Sequence, residues 1–315
     1  MTTMQTITLQ KYQTRARNFY RNHCGSENPN SAQICAALLA CASDYRPNSF
    51  GTLKSALAHD QKARGNHQAV KAIKQLSNPV TAQGSTLFKK PKTKQIRSVS
   101  EDDYIALVEH LSTHGFMDEV LSVVLANYLG VRPCEMRTIT VTGNRVLIIG
   151  GKKTDSKDRG ADRTLVIEDP LVLQAVTDAA RWMSICPRSN TAIRDRLRKE
   201  CRALWPRRKQ HPTLKSFRHQ LGSNLKASDE SDEAIAYMMG HQSIESISVY
   251  GNRRSGTGHK LHIRPAQVAD FSKVRQPKHP AVFGRERVIG CIDAPQQLMN
   301  RQADPRCAES DPRGA

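Results

Sequence analysis

The sequence predicts a mainly α-helical protein with a small three-stranded antiparallel sheet. Most segments between residues 7 and 239 repeat apolar side chains every three or four positions, which is the spacing of amphipathic helices. Three short segments, 138–141, 145–149 and 163–167, are instead rich in β-branched residues and are predicted to be strands. With 315 residues, the chain is long enough for two domains and a tail.

Residues 1–80 are predicted to form a helical domain with helices at 7–22, 31–43, 49–65 and 67–77. Ser49 is a candidate N-cap for the third of these helices, and Gly65 a candidate end. Residues 1–100 contain 15 Lys and Arg against only 3 Asp and Glu. Such a surplus is either a solvated surface or the binding surface for a polyanion, of which nucleic acid is the common case.

Residues 81–99 are predicted to be an exposed basic linker, because Lys89-Lys90-Pro91-Lys92 disfavours packed secondary structure. Residues 100–255 are predicted to form a second domain. Its first two helices start at Ser100 and Met117, and further helices follow the three strands, at 170–184, 190–204, 213–227 and 231–239. Residues 256–315 contain many prolines and no sustained periodicity, and are predicted to be a basic, largely disordered tail.

Charge and cysteine content narrow the class of protein. The net charge is +19, but residues 101–250 are almost balanced, with 21 Lys and Arg against 20 Asp and Glu. Positive charge in the second domain must therefore be local to a site. The eight cysteines form no Cys-x-x-Cys pair, which argues against a zinc ribbon. No apolar run is long enough for a membrane helix or a signal peptide, so we expect a cytoplasmic protein with reduced thiols.

Three motifs in the second domain contain the candidate site. They are Gly-Val-Arg132-Pro-Cys-Glu135-Met, Leu-Lys215-Ser-Phe-Arg218-His219, and Met-Gly-His241, which is followed nine residues later by Tyr250. An arginine side chain offers a planar fork of donors that matches phosphate oxygens. A tyrosine hydroxyl becomes a nucleophile when cations stabilise its oxyanion. Together, these residue types point to a site that holds a phosphodiester and attacks its phosphorus.

The three motifs, in this order, resemble the three boxes of the tyrosine recombinases, or phage integrase family, over roughly residues 100–252. The resemblance implies a helical core-binding domain that closes over DNA, followed by an α+β catalytic domain. It implies a site-specific DNA recombinase or integrase that needs no metal, ATP or other cofactor. The implied partners are double-stranded DNA and further copies of the chain, as a tetramer on paired sites.

The resemblance also implies a role for each site residue. Tyr250 would form a 3′-phosphotyrosine, while Arg132, Arg218 and His241 would bind the non-bridging oxygens. Glu135 would position Arg132. A lysine in the turn between the second and third strands would be the general acid. Lys153 fits best, Lys152 is a credible rival, and Lys157 is a weaker one.

One position departs from the family pattern. Lys215 stands where a histidine is usual, and lysine is a poor base at neutral pH unless its pKa is lowered. The proton of Tyr250 could therefore pass to His219, to water or to the substrate.

Two other functions share some of these features. A catalytically silent DNA-binding protein would need the basic first domain but neither Arg132 nor Tyr250. A type IB topoisomerase would use the same chemistry, although the short chain and separate basic domain fit a recombinase better.

Overall fold

The computed structural model describes residues 6–92, 94–151, 161–256 and 261–276. Within these residues the chain is mainly helical, and none of the helices is both long and apolar enough to cross a bilayer. The helices lie close to their predicted positions. They are α1 Thr6–Phe19, α2 Ser31–Ala40, α3 Pro47–Ala63, α4 His67–Gln75, α5 Glu101–Thr113, α6 Met117–Leu129, α7 Pro170–Ile185, α8 Asn190–Leu204, α9 Leu214–Ala227 and α10 Asp232–Met238.

Local capping explains where the two helices nearest the site begin. The Thr213 hydroxyl accepts a hydrogen bond from the Ser216 amide, and the Ser216 hydroxyl accepts one from the Thr213 amide, so α9 starts with a capping box. Ser231 caps α10 by accepting a hydrogen bond from Ala234. Both helix starts are therefore specified by short-range sequence, and both helices bring a predicted site motif with them.

The buried apolar side chains fall into two clusters that share no residue. Helices α1 to α4 surround one cluster, and the sheet with helices α5 to α10 surrounds the other. The residues of the first cluster are Ala16, Phe19, Tyr20, Ile34, Leu38, Cys41, Ala42, Phe50, Leu53, Leu57, Ala58, Ile73 and Val80. The predicted boundaries of the two domains, at residues 80 and 100, stay predictions.

A four-stranded antiparallel sheet packs in the second cluster, with the strands in chain order. The strands are β1 Ile139–Thr142, β2 Arg145–Ile148, β3 Arg163–Ile167 and β4 Ile263–Pro265. Alternate residues of β3 are buried, as the period of two in a strand requires. The register brings the start of β3 opposite the end of β2, so that Arg163 faces Ile148 across the pair.

The prediction of three strands is wrong by one, because β4 completes the sheet. Ile263 pairs with Ile167, and it is almost fully buried. Residues 261–276 pack on the sheet and its helices, while residues 257–260 and 277–315 lie outside the described part of the chain, so the prediction for the tail stays a prediction. A strand of three residues that ends in Pro265 has no periodicity to detect, and only its pairing with β3 reveals it.

We expect Ile263→Ala to destabilise the protein by about 2–4 kcal/mol, because it removes a buried side chain between β4 and the core. Val268→Ala is the matched control in the same segment, since Val268 is 70% exposed, and it should change stability by less than about 0.5 kcal/mol. Equilibrium unfolding in urea measures both changes. Equal effects of the two variants would contradict the packing of residues 261–276 on the sheet.

Candidate active site

The carboxylate of Glu135 lies at the centre of the candidate site and is fully buried. One oxygen, Oε1, accepts hydrogen bonds from Arg132 Nη1 at 2.5 Å and from the Gly151 amide at 3.3 Å. The other, Oε2, accepts from the Arg132 amide at 3.0 Å and from Arg163 Nη2 at 3.1 Å. Burial alone would raise the pKa of Glu135, but the charges of Arg163 and Arg132 outweigh it and lower the pKa to about 2.

Arg132 follows the end of α6, where the chain turns sharply. Gly130 ends the helix with a left-handed backbone, φ +57°, and a Cβ there would overlap Leu221 of α9 at 2.6 Å. The turn therefore needs glycine for its dihedral angle, and Gly130 also lies close to the end of the Leu221 side chain. It leaves the Arg132 guanidinium partly buried, with Nη2 lying 3.5 Å from the Gly240 carbonyl oxygen.

Arg163 is a third arginine in this cluster, and it lies in none of the three sequence motifs. Its side chain is fully buried, and it pairs with Glu135. Among the described residues, Nε and Nη1 have no hydrogen-bond partner. Burial lowers the pKa of Arg163, while Glu135 opposes the shift. The sequence signal was a charged residue at an inward position of a predicted strand, which is rare without a partner.

Arg218 projects from α9 and joins the first and third motifs. Its guanidinium donates hydrogen bonds to the carbonyl oxygens of Gly130 and Met239, and Nη2 lies 3.1 Å from His241 Nε2. Burial and the charges of Arg132 and Arg163 lower the pKa of Arg218 to about 9, so it stays protonated at pH 7. Because an arginine only donates, His241 accepts at Nε2, and the neutral ring then has its proton on Nδ1.

Tyr250 is half-buried, and its ring lies against three site residues. The His219 ring stacks on it with centroids 4.8 Å apart, and the His241 ring lies tilted at 5.0 Å. The Arg218 Cζ atom lies 5.0 Å from the centroid of the tyrosine ring, which is cation–π geometry. A 3₁₀ turn, Ile244–Val249, joins the third motif to the tyrosine.

His219 and Lys215 lie one turn apart on α9 but differ in exposure. His219 is buried, and its Nδ1 atom accepts a hydrogen bond from the Gly251 amide at 3.3 Å. Burial, followed by the charge of Lys215 and other nearby cations, lowers the pKa of His219 to about 4. Lys215 itself is exposed. The structure thus brings Arg132, Glu135, Arg218, His219, His241 and Tyr250 together and leaves Lys215 at the rim.

The predicted lysines Lys152, Lys153 and Lys157 lie outside the described residues. The loop that contains them follows β2, and Gly151, the last described residue before them, donates its amide to Glu135. Among the described residues, no group of three His, Cys, Asp or Glu side chains could hold a metal ion. The hydrogen-bond donors that converge on the site are cationic or neutral, so the site is suited to binding an anion.

Comparison with solved structures identifies the fold. A lambda integrase dimer bound to a COC′ core site matches at 16% identity with a TM-score of 0.56, covering 82% of this chain and 75% of that one. A Tn1549 transposon integrase fragment in complex with transposon right end DNA matches at 10% identity with a TM-score of 0.53, covering 82% and 91%. No protein-family model matches the sequence, and no curated protein does either. The chain has the fold of these integrases.

The histidines of the site should make stability depend on pH. Burial and the charge of Arg218 lower the pKa of His241 to about 2, below the value near 6.5 of an unfolded histidine. The unfolded chain therefore binds more protons below pH 6.5, and the folded state loses stability as the pH falls. We expect His241→Asn to reduce the stability loss between pH 7 and pH 5 by about 2 kcal/mol.

Urea unfolding at several pH values measures this difference. His67→Asn is the matched control, because His67 is exposed on α4, and it should keep the wild-type dependence on pH. An unchanged pH dependence in His241→Asn would contradict a buried, neutral His241.

Proposed function

We propose that this chain is a tyrosine-type site-specific DNA recombinase, which cleaves and rejoins DNA strands through a 3′-phosphotyrosine. The observation that carries the proposal is the position of Tyr250, whose ring lies against Arg218, His219 and His241. A tyrosine beside a cluster of three arginines, two of which pair with the buried carboxylate of Glu135, is suited to attack a bound phosphodiester. The fold shared with the integrases described above supports the same reaction class.

The reaction is a transesterification in which Tyr250 replaces a deoxyribose oxygen on phosphorus. The Tyr250 Oη atom forms a bond to the scissile phosphorus, and the bond from phosphorus to the 5′ oxygen breaks. The 5′ oxygen leaves as a hydroxyl after it receives a proton, and Lys153 is the proposed donor. Rejoining is the reverse reaction with a 5′ hydroxyl, and the phosphotyrosine conserves the bond energy, so ATP is not needed.

Fixed positive charge stabilises the pentavalent transition state in this proposal. Arg132 and Arg218 hold the non-bridging oxygens, and each such donor typically contributes a factor of about 10²–10³ in rate. The Nε atom of Arg218 has no partner among the described residues, so that donor is not committed elsewhere. Glu135 keeps Arg132 in place, while Arg163 balances the charge of Glu135, so that the site keeps a net positive charge.

The hydrogen bond from Gly251 to Nδ1 bears on the proton of Tyr250. A neutral His219 that accepts at Nδ1 has its own proton on Nε2, so neither ring nitrogen is free to take the proton of Tyr250. We therefore assign His219 to holding the tyrosine ring. The phenolic proton passes to a phosphate oxygen or to water.

The amino-terminal helices supply the DNA contacts outside the catalytic site in this proposal. Helix α1 exposes Lys11, Arg15 and Arg17 on its surface, and Arg21 follows directly after it. Cations in such an arrangement bind phosphates, largely without regard to sequence. One of the similar structures is a lambda integrase tetramer bound to a Holliday junction, and we propose the same kind of assembly for this chain.

The nucleophile can be tested without knowledge of the target sequence. The full chain is incubated with a pool of nicked duplexes of randomised sequence. After cleavage, the short strand beyond the cleaved phosphate diffuses away. The strands can then no longer rejoin, and the covalent complex is trapped. We expect protein–DNA adducts that survive denaturation, and their sequences identify the preferred site. Tyr250→Phe should bind the selected DNA within about twofold of the wild-type affinity but form no adduct, because it lacks only the attacking oxygen.

Tyr237→Phe is the matched control, since it also removes a tyrosine hydroxyl, one that accepts a hydrogen bond from the Thr164 amide. It should still form adducts. Adducts in Tyr250→Phe would move the nucleophile elsewhere, and DNA binding without any adduct in the wild type would favour a catalytically silent DNA-binding protein.

The general acid can be tested on the selected site with sulfur in place of the bridging 5′ oxygen. A thiolate leaves without a proton, so this substrate should restore cleavage by Lys153→Ala to within about tenfold of wild type. It should not restore cleavage by Arg218→Ala, whose defect is in charge stabilisation. Rescue of Lys152→Ala in place of Lys153→Ala, measured as the rate of adduct formation, would assign the role to Lys152.

A further inference from the structure

Gln220 follows His219 on α9, and its buried side chain joins two distant segments of the chain. The carbonyl oxygen Oε1 accepts hydrogen bonds from the Ser98 hydroxyl at 2.9 Å and from the Val99 amide at 3.0 Å. The Nε2 atom donates to Asn224 Oδ1 at 2.8 Å and to the Ser255 carbonyl oxygen at 2.9 Å. Every hydrogen-bonding group of this amide is therefore used.

The segment after Tyr250 lies directly against the backbone of α9. Gly251 has φ +68°, and a Cβ there would lie 2.3 Å from the Ser223 amide nitrogen, so no other residue fits. The Asn252 amide donates to the Ser223 hydroxyl at 2.9 Å, and Lys226 donates to the Gly251 carbonyl oxygen. The bond from Gln220 to Ser255 ends this series of contacts. The position of Tyr250 thus depends on how residues 251–255 sit on α9.

The segment before α5 reaches the same helix from the other side. Val99 is buried in the core of the sheet and its helices, and Ile96 packs against that core. Arg97 is close enough for its charge to act on the His219 ring. The end of the predicted linker therefore lies beside the active-site helix, and Gln220 is the side chain that holds it there.

We propose that Gln220 is a positioning residue that holds both the end of the linker and the segment after Tyr250 on one helix, and that its hold on the second segment keeps the nucleophile in place. The assignment of Tyr250 as nucleophile rests on the function proposed above. The physical basis is that one amide fixes both segments: its carbonyl accepts from the linker, and its amino group donates to the segment after the tyrosine. Loss of either half releases one segment and leaves the other held.

Two substitutions separate the halves of this amide. Gln220→Met keeps the length and approximate volume of the side chain but removes all four hydrogen bonds. Gln220→Glu keeps an acceptor for Ser98 and Val99 but cannot donate to the Ser255 carbonyl oxygen. Gln174→Met is the matched control, because Gln174 is exposed on α7, far along the chain from both segments.

Residue-resolved amide hydrogen exchange on the full chain without DNA provides the first measurement. In Gln220→Met we expect amide exchange at Val99, Gly251 and Asn252 to become about tenfold faster, because each segment loses a hydrogen bond that holds it on α9. In Gln220→Glu only Gly251 and Asn252 should become faster. Gln174→Met should match wild type. Faster exchange at Val99 alone in Gln220→Met, or an equal increase throughout the core, would overturn the proposal.

The second measurement is adduct formation on the DNA selected with the randomised pool. We expect Gln220→Met to lower the rate at saturating DNA about tenfold and to leave the half-saturating DNA concentration within about twofold of wild type. A raised half-saturating concentration with an unchanged rate would assign Gln220 to DNA binding and overturn the positioning role. If wild type forms no adduct, the proposed function fails, and the exchange measurement still decides whether Gln220 joins the two segments.

Discussion

The pairing of one buried carboxylate, Glu135, with two arginines is the interaction on which the rest of the site depends. Three guanidinium groups lie in this cluster, and without a carboxylate their repulsion and desolvation would oppose folding. Glu135 binds the turn after α6, the first residue of β3 and the start of the loop after β2. One side chain thus holds three separate segments at the distances the site requires. Removing either arginine would leave a buried charge partly uncompensated.

The ends of two helices complete the cluster through their backbone. Gly130 ends α6, and Met239 and Gly240 follow α10, so carbonyl oxygens at both ends lack helical partners. Arg218 donates to the Gly130 and Met239 carbonyl oxygens and thereby binds the first motif to the third. The same guanidinium lies over the ring of Tyr250. The arginine that would bind phosphate is therefore also the group that holds the helix ends together.

Low pKa values are a consequence of this arrangement. His219 and His241 are buried next to cations, and both stay neutral at physiological pH. A neutral ring can stack on Tyr250 without adding charge, while the arginines keep the site positive. Burial therefore divides the roles: guanidinium groups provide the charge, and imidazole rings provide packing and single hydrogen bonds. Lys215 has neither of these buried roles, because it is exposed at the rim of the site.

The sequence by itself determined the helices, the first three strands and the list of motif residues, because these depend on periodicity, caps and glycine at helix ends. Helix α9 begins with its capping box close to the predicted position, and Gly130 and Gly240 have the left-handed backbone typical of residues after a helix. Arg132, Arg218, His241 and Tyr250 could be named in advance because each lies in a short motif. Their roles in the reaction stay predictions.

Only the tertiary structure decided the places of β4, Arg163 and Gln220. Strand β4 has three residues, and its pairing with β3 comes from a segment almost 100 residues later in the chain. Arg163 and Glu135 are 28 positions apart, and Gln220 and Val99 are 121 apart. No local pattern records such contacts, because a buried charge or amide is stable only when its partners arrive from other segments. Short-range sequence thus specifies the elements, and long-range hydrogen bonding specifies how they meet.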